Sequence, residues 1–375
     1  MTAGAGHWRA AEALAQAIRE SLPQAELQCV DALSYAPRWF RNGYAWSYLL
    51  LVRHVEWIWK ISYAILDSGW GYRLVQPLRR AWNDLITRRF VDWITTQRFD
   101  VILTTHFMPA DVCSAAKQAR RWTGQLVVVV TDLHPHRFWI APQPDAIVVA
   151  TPESARVLQQ RGVAADRIHV AGIPIGRAFS LPRDRAILQQ RFAPDSSRRT
   201  VLVTSGGTTV GQFERVVHGL LGLEPEMPGR IQLLVVCGED ALTAARLLQQ
   251  ASISPMPMRV FEFVDYMADL MTVSDVIIAK AGGLTVSEAL ACGAPLVFYH
   301  VIPGQETMNA RYVVAHGAGV IATNPVDVAR LVRELVADAD RLASMRVAAQ
   351  TLGRPAAAQD IIERVVTPLL RTLNA

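Results

Sequence analysis

Short apolar runs that end in Gly, Thr or Asp alternate with helix-period segments along most of the chain. In the first half the runs fall at 27–30, 99–104, 126–132, 146–150 and 168–171, with helical periodicity over 10–20 and 152–161 between them. In the second half they fall at 200–205, 231–237, 259–263, 275–279, 295–299 and 319–323. Runs this continuously apolar predict strands covered by helices on both faces, which is the signature of parallel-sheet α/β architecture. A chain of 375 residues has room for two such domains. Residues 1–180 form the first expected domain and 200–375 the second, with the Pro-, Ser- and charge-rich stretch 181–199 as a linker. The helical pattern over 355–373 either extends the second domain or crosses back to the first.

At the N-terminus, Gly4-Ala5-Gly6-His7 reads as a glycine turn opening a helix. Such a turn ordinarily follows a buried strand. Only Met1, Thr2 and Ala3 precede it, so the natural start of translation is expected upstream.

Composition narrows the class. Hydrophobic residues make up 51% and charged residues 19%, which excludes a disordered chain. Cys29, Cys113, Cys237 and Cys292 form no C-x-x-C pair and fit buried thiols in a reducing compartment. The net charge of +5 is unevenly spread: residues 38–98 hold ten Arg or Lys against four Asp or Glu. The same stretch holds seven of the ten tryptophans, among them Trp46, Trp57 and Trp59. Basic residues interleaved with tryptophan point to an anionic membrane surface or to nucleic acid. The most apolar stretch, 44–66, is interrupted by Arg53, His54, Glu56 and Lys60, and so is not expected to span a bilayer.

The sharpest motif is Lys280-Ala281-Gly282-Gly283-Leu284-Thr285, where a strand ends and a helix is expected to open near Thr285. Free N–H groups and the helix dipole there would face an anion such as a phosphate. Glu288, one turn on, suits sugar hydroxyls better than phosphate. A tight turn with a capping threonine is the alternative. Pro303-Gly304-Gln305-Glu306 follows the strand at 295–299, and its Gln and Glu suit a pyranose, although a helix start has the same composition. Gly206-Gly207 would form a second anion-facing turn. His7, His106, His134 and His136, with Asp132, sit at strand ends that converge at one edge of a parallel sheet, where one of them would act as a general base. The chain has no G-x-x-x-x-G-K-[ST] and no zinc-type histidine pair, so neither a metal nor nucleotide hydrolysis is expected.

Six motifs then occur in a fixed order: GAGH-x-x-A-A-x-A-L at 4–14, THFMPAD at 105–111, TDLHPHRFW at 131–139, AGIPI at 171–175, KAGGLTVSEAL at 280–290 and PGQE at 303–306. Together they resemble glycosyltransferase family 28. Within it, the chain looks most like the bacterial processive diacylglycerol glucosyltransferases and the plant monogalactosyldiacylglycerol synthases. The resemblance implies a GT-B fold, two Rossmann-like domains facing across a cleft, here with the first strand of the N-terminal domain missing. Carried over by position, Gly282, Gly283, Leu284 and Thr285 would meet the diphosphate and Glu288 the ribose. Pro303, Gly304, Gln305 and Glu306 would hold the hexose, the backbone near Val264 the uracil, and Gly206 and Gly207 a further part of the donor. His7 would be the base or orient the acceptor hydroxyl, with Asp132 and His136 lining the same side. Gly6, His106 and Trp139, with Trp46, Trp57 and Trp59, would face the acceptor or the membrane. Thr208 and Thr209 depart from the glycine and small or acidic residues that relatives tend to carry there.

The resemblance further implies an inverting, metal-independent transfer from UDP-glucose or UDP-galactose to diacylglycerol, with no cofactor beyond the donor. Its partners would be the UDP-hexose, the lipid and an anionic membrane surface, with nucleic acid excluded, and its place the cytosolic face of the cell membrane. Three alternatives stay open: a UDP-N-acetylglucosamine transferase to a polyprenyl or other lipid, a UDP-sugar epimerase, and a non-catalytic membrane-binding GT-B protein.

Overall fold

A computed structural model describes residues 5–41, 43, 56–193, 195–206 and 212–373, without the side chains of Ala5, residues 56–61, Ala81 and Asp84. The chain divides into two compact units. The first comprises Met1–Arg177, Pro303–Gln305 and Ala356–Ala375, and the second Ala178–Ile302 and Glu306–Pro355.

The first unit runs α1 (Ala5–Ser21), a 3₁₀ turn (Ala32–Tyr35), α2 (Glu56–Asp67), α3 (Gly69–Ile86), α4 (Arg88–Gln97), β1 (Val101–Thr104), α5 (Phe107–Gln118), β2 (Gln125–Val129), β3 (Ala146–Val149), α6 (Pro152–Gln160) and β4 (Ile168–Val170). The four strands form one parallel sheet in the order β1-β2-β3-β4. Successive side chains of a strand point to opposite faces. Leu126 and Val128 therefore pack with Ile94, Met108 and Val112 on one face, while Val127 and Val129 pack with Leu14 and Ile18 on the other. That second face is completed by the C-terminal segment, whose Ile361, Ile362 and Val365 join the same cluster. The C-terminal segment consists of helices Ala357–Ile361 and Thr367–Leu373 joined by a π turn over Ile362–Val366.

Three expectations are corrected here. The run at 27–30 forms no ladder. Val30 is 38% exposed and only Leu27 packs against the core, so a four-residue run interrupted by Gln28 is too short a pattern to mark a strand. Gly6 and His7 of the expected glycine turn already lie in the first turn of α1, and Gly4 lies outside the described residues. Cys113 and Cys237 are buried, but Cys29 and Cys292 are partly exposed, and all four thiols are free.

The second unit runs α7 (Arg185–Phe192), β5 (Arg199–Thr204), α8 (Phe213–Leu221), β6 (Ile231–Val236), α9 (Ala241–Ala251), β7 (Met258–Phe261), α10 (Met267–Val273), β8 (Val276–Ala279), α11 (Gly283–Ala291), β9 (Leu296–Phe298), α12 (Gln305–Ala315), β10 (Gly319–Ile321), α13 (Pro325–Ala337) and α14 (Ala339–Leu352). Its six strands are parallel, in the order β10-β9-β8-β5-β6-β7. The order reverses between β5 and β8, and open α/β sheets bind ligands at the carboxyl ends of strands at such a switch point.

The stretch 181–199 is not a free linker. Asp184 caps α7 by accepting from the Ala186 and Ile187 N–H groups, Leu188 and Phe192 are buried, and Arg185 binds Asp275 at 2.9 Å and the Thr272 carbonyl at 3.0 Å. Buried apolar side chains and a charge-assisted bond hold this segment to the second unit.

Candidate functional site

In the first unit the chemistry gathers over the carboxyl ends of β1 and β2. His7 Nδ1 lies 2.7 Å from the Thr105 carbonyl oxygen and 2.8 Å from Thr131 Oγ1, and Thr105 Oγ1 donates to the His7 carbonyl at 2.8 Å. A carbonyl can only accept, so Nδ1 carries the proton and Nε2 of the neutral ring keeps its lone pair. Burial lowers the His7 pKa from 6.5 to about 4, against the opposing pull of the Thr105 carbonyl, so the ring is neutral at neutral pH. A fixed tautomer with an unprotonated Nε2 is the arrangement a general base needs.

His106 and Trp139 stand behind His7, with ring centroids 4.7 Å and 6.2 Å away. Neither has the exposure that a membrane-facing role would need. His106 is buried, caps α5 by accepting the Met108 N–H at Nδ1, and has its pKa held well below 6.5 by burial. Trp139 is 1% exposed, and its indole N–H donates to Asp132 at 3.3 Å.

His136 lies near this cluster but is engaged at both ring nitrogens. Nδ1 accepts the Phe138 N–H at 3.1 Å, and Nε2 lies 3.4 Å from the Tyr63 carbonyl. It therefore offers no free lone pair for proton abstraction, and its part is to fix the loop between β2 and β3. Asp67, at the end of α2, ties the same loop. Its carboxylate accepts from the Arg137 N–H and from Arg161 Nη2, both at 2.8 Å, while Arg161 Nη1 donates to the Pro135 carbonyl at 2.7 Å. The Arg137 side chain returns to the Asp67 carbonyl at 2.6 Å.

In the second unit, α11 starts at Gly283, two residues before the expected Thr285, with Gly282 as its cap residue. The first bond within the helix runs from the Val286 N–H to the Gly282 carbonyl at 3.0 Å. The N–H groups of Gly283, Leu284 and Thr285 thus have no partner inside the helix and point out of its positive end. Gly282 has φ −66°, which any residue adopts, and an added Cβ would meet nothing within 4 Å. Neither backbone conformation nor packing requires glycine there, so the open space before the helix is the feature that a side chain would take away.

The turn after β5 comes to the same place. Gly206 has φ +70°, and a Cβ on it would stand 3.6 Å from Lys280 Cε. The Asn309 side chain, fully buried, donates to the Ala281 carbonyl at 2.9 Å and fixes the glycine turn from α12. Glu306 accepts the Ile302 N–H at 3.1 Å, and Gln305 Oε1 is buried without a hydrogen-bond partner among the described residues. Gly304 has φ +103°, a conformation that does favour glycine. Val264 is buried just beyond β7, and Glu288 is buried in the second turn of α11.

The sequence-predicted residues therefore gather into two groups. His7, His106, Asp132, His136 and Trp139 belong to the first unit, and Gly206, Gly282, Gly283, Leu284 and Thr285 surround the β5/β8 switch point of the second. Gly207 and Trp46 lie outside the described residues, as do the side chains of Trp57 and Trp59 on α2. Sequence reasoning missed Thr105, Thr131, Asp67, Arg161, Lys280 and Asn309. Thr105, Thr131 and Lys280 are the first residues of motifs already singled out, but nothing in sequence spacing pairs Asp67 with Arg161, 94 positions away.

Comparison with known proteins gives a consistent picture. The monogalactosyldiacylglycerol (MGDG) synthase family model matches residues 7–175, and the glycosyltransferase family 28 C-terminal domain matches residues 200–365. A processive diacylglycerol beta-glucosyltransferase of Bacillus cytotoxicus is 26% identical over 74% of this chain and 70% of its own length. The protein of that name from Bacillus cereus is 30% identical over 64% of this chain and 60% of its own. The chain thus spans between three-fifths and seven-tenths of these relatives. Among solved structures, MurG of Acinetobacter baumannii superposes with a TM-score of 0.58 at 16% identity, over 76% of this chain and 78% of that one. The S. aureus MnaA–UDP structure also scores 0.58, at 15% identity, over 79% and 82%. At such identities the likeness is one of fold, the two parallel-sheet α/β domains of the GT-B class.

Proposed function

Because the chain belongs to glycosyltransferase family 28, we propose that it transfers a hexose from UDP-glucose or UDP-galactose to membrane diacylglycerol, giving a β-glycosyl lipid. The observation that carries this reading is the ordered match of two domains of such enzymes over most of the chain. The site geometry supports it. His7 Nε2 takes the proton of the acceptor hydroxyl as that oxygen attacks the anomeric carbon. The bond from that carbon to the diphosphate breaks on the opposite face, and UDP leaves with the electron pair, so configuration inverts. The N–H groups of Gly283, Leu284 and Thr285 and the α11 dipole meet the leaving diphosphate, with Lys280 beside them. Gln305 and Glu306 hold the hexose, Glu288 the ribose, and the backbone near Val264 the uracil. No metal or cofactor is needed in this scheme.

No helix among the described residues is long and apolar enough to cross a membrane. The enzyme acts peripherally, at the cytosolic face of an anionic cell membrane where its acceptor resides. Release of UDP that depends on added diacylglycerol tests the reaction class. Release without acceptor, or interconversion of the sugar nucleotide with no release, contradicts transfer.

A further inference from the structure

We propose that α3 is the membrane-docking element, lying in the plane of an anionic bilayer with its outer face in the acyl boundary. This rests on the reading of a bilayer-resident acceptor and names the surface that meets the bilayer. Helical spacing puts Trp70, Leu74, Leu78, Trp82 and Leu85 on one stripe, and all five are exposed, from 45% at Trp82 to 72% at Leu74 and Leu78. The inner face carries polar and charged groups beside buried Ile86. Arg79 pairs with buried Asp111 of α5 at 3.2 Å and stacks 4.4 Å from the Phe138 ring, and Asn83 donates to Asp111 at 3.1 Å. A helix with polar groups against its own protein and large apolar groups outward is inverted for water and suited to lipid.

Trp70 and Trp82 are about 18 Å apart along the axis at 1.5 Å per residue. Indoles prefer the headgroup boundary, and two at one depth require the axis to lie parallel to the surface. Trp39, 61% exposed and edge-on to Trp82 at 6.1 Å, widens the apolar face. The rim is basic: Arg73 and Arg80 on α3 and Arg88 and Arg89 at the start of α4 are exposed. Anionic lipid complements that rim, whereas a second copy packed on the same face around a twofold axis would set these cations against each other.

Co-sedimentation of the full chain with phosphatidylglycerol-containing vesicles tests the proposal. The double variant Leu74→Glu, Leu78→Glu is expected to bind at least about tenfold more weakly, since it removes two inserting side chains. Both positions are exposed, so its thermal midpoint should stay near that of the parent. Independently, lipids brominated in the acyl chains should quench the tryptophan emission, and Trp70→Phe or Trp82→Phe should each reduce the quenched fraction. Equal vesicle binding by the parent and the double variant overturns the proposal, as does emission that acyl-chain bromine leaves unchanged. Self-association of the parent that the double variant abolishes, with neither binding vesicles, also overturns it, in favour of a second copy. The double variant should still glycosylate detergent-dispersed diacylglycerol. A parent that docks through α3 yet transfers no sugar to either form supports the docking face and refutes the enzymatic reading.

Discussion

His7 Nδ1 hydrogen-bonds the Thr105 carbonyl at 2.7 Å, and this contact places the proton on Nδ1 and leaves Nε2 with its lone pair. The carbonyl belongs to the loop that follows β1, so the sheet itself aims the imidazole. Replacing His7 by Ala is expected to lower kcat by about 10²- to 10⁴-fold, the usual range for a general base, while vesicle binding stays near the parent's. Unchanged turnover would remove His7 from the mechanism.

The low pKa of His7 sets a pH window. In the proposed role of general base His7 works in its neutral form, so the acid limb of kcat/KM is expected to fall near pH 4 rather than near 6.5. Stability follows the same sign. The unfolded chain takes up this proton near 6.5 and the native state only near 4, so the His7 contribution is complete above about 6.5 and is lost as pH falls from there through 4. Burial lowers the pKa of His106, His134 and His136 as well, which adds to the loss on acidification. Urea midpoints across this range should decline with falling pH, and by less in His7→Gln. A midpoint independent of pH would contradict the buried neutral ring.

Much of the architecture was legible because strands buried on both faces read as continuous apolar runs, and ten of the eleven expected runs are strands. The run at 27–30 failed because its apolar residues do not meet a neighbouring strand. The stretch 181–199 reads as a linker because it combines proline, serine and charge, yet its Arg185 is held by Asp275 from far along the chain. The candidate site divided in the same way. His7 and the Gly282 turn sit in local motifs, whereas the Asp67 contacts arise only when α2 packs beside the loop after β2.

Asp67 gives the sharpest test of that missed part. In Asp67→Asn, Arg161 loses its charged partner and the loop carrying His136 loses one of its ties. A loss of about 1–3 kcal/mol is expected for a charged group left without its hydrogen bond, read from the denaturant midpoint, together with a rise in KM for the acceptor. Stability and KM equal to the parent's would show that the contacts do not hold the loop.

Gly282 separates donor binding from folding. Ala at this position fits the backbone and meets no neighbour, so the fold should be unchanged. Its methyl group would stand at the open end of α11, where KM for the UDP-hexose should rise about tenfold or more, a cost of about 1.4 kcal/mol in donor affinity. An unaltered KM would place the diphosphate elsewhere.

Two changes of medium probe the remaining chemistry. Removing divalent metal with EDTA should leave transfer unaffected if, as proposed, the helix N-terminus and Lys280 carry the charge of the leaving group; loss restored by Mg²⁺ would contradict this. Raising salt should weaken binding to anionic vesicles by screening the basic rim, whereas salt-insensitive binding would leave apolar insertion as the only attraction.

The most direct measurement supplies the protein with radiolabelled UDP-glucose and, separately, UDP-galactose in the presence of diacylglycerol vesicles and resolves the extracted lipids. Labelled glycosyl-diacylglycerol of β configuration is expected with at least one of the two donors. No labelled lipid with either donor would contradict it.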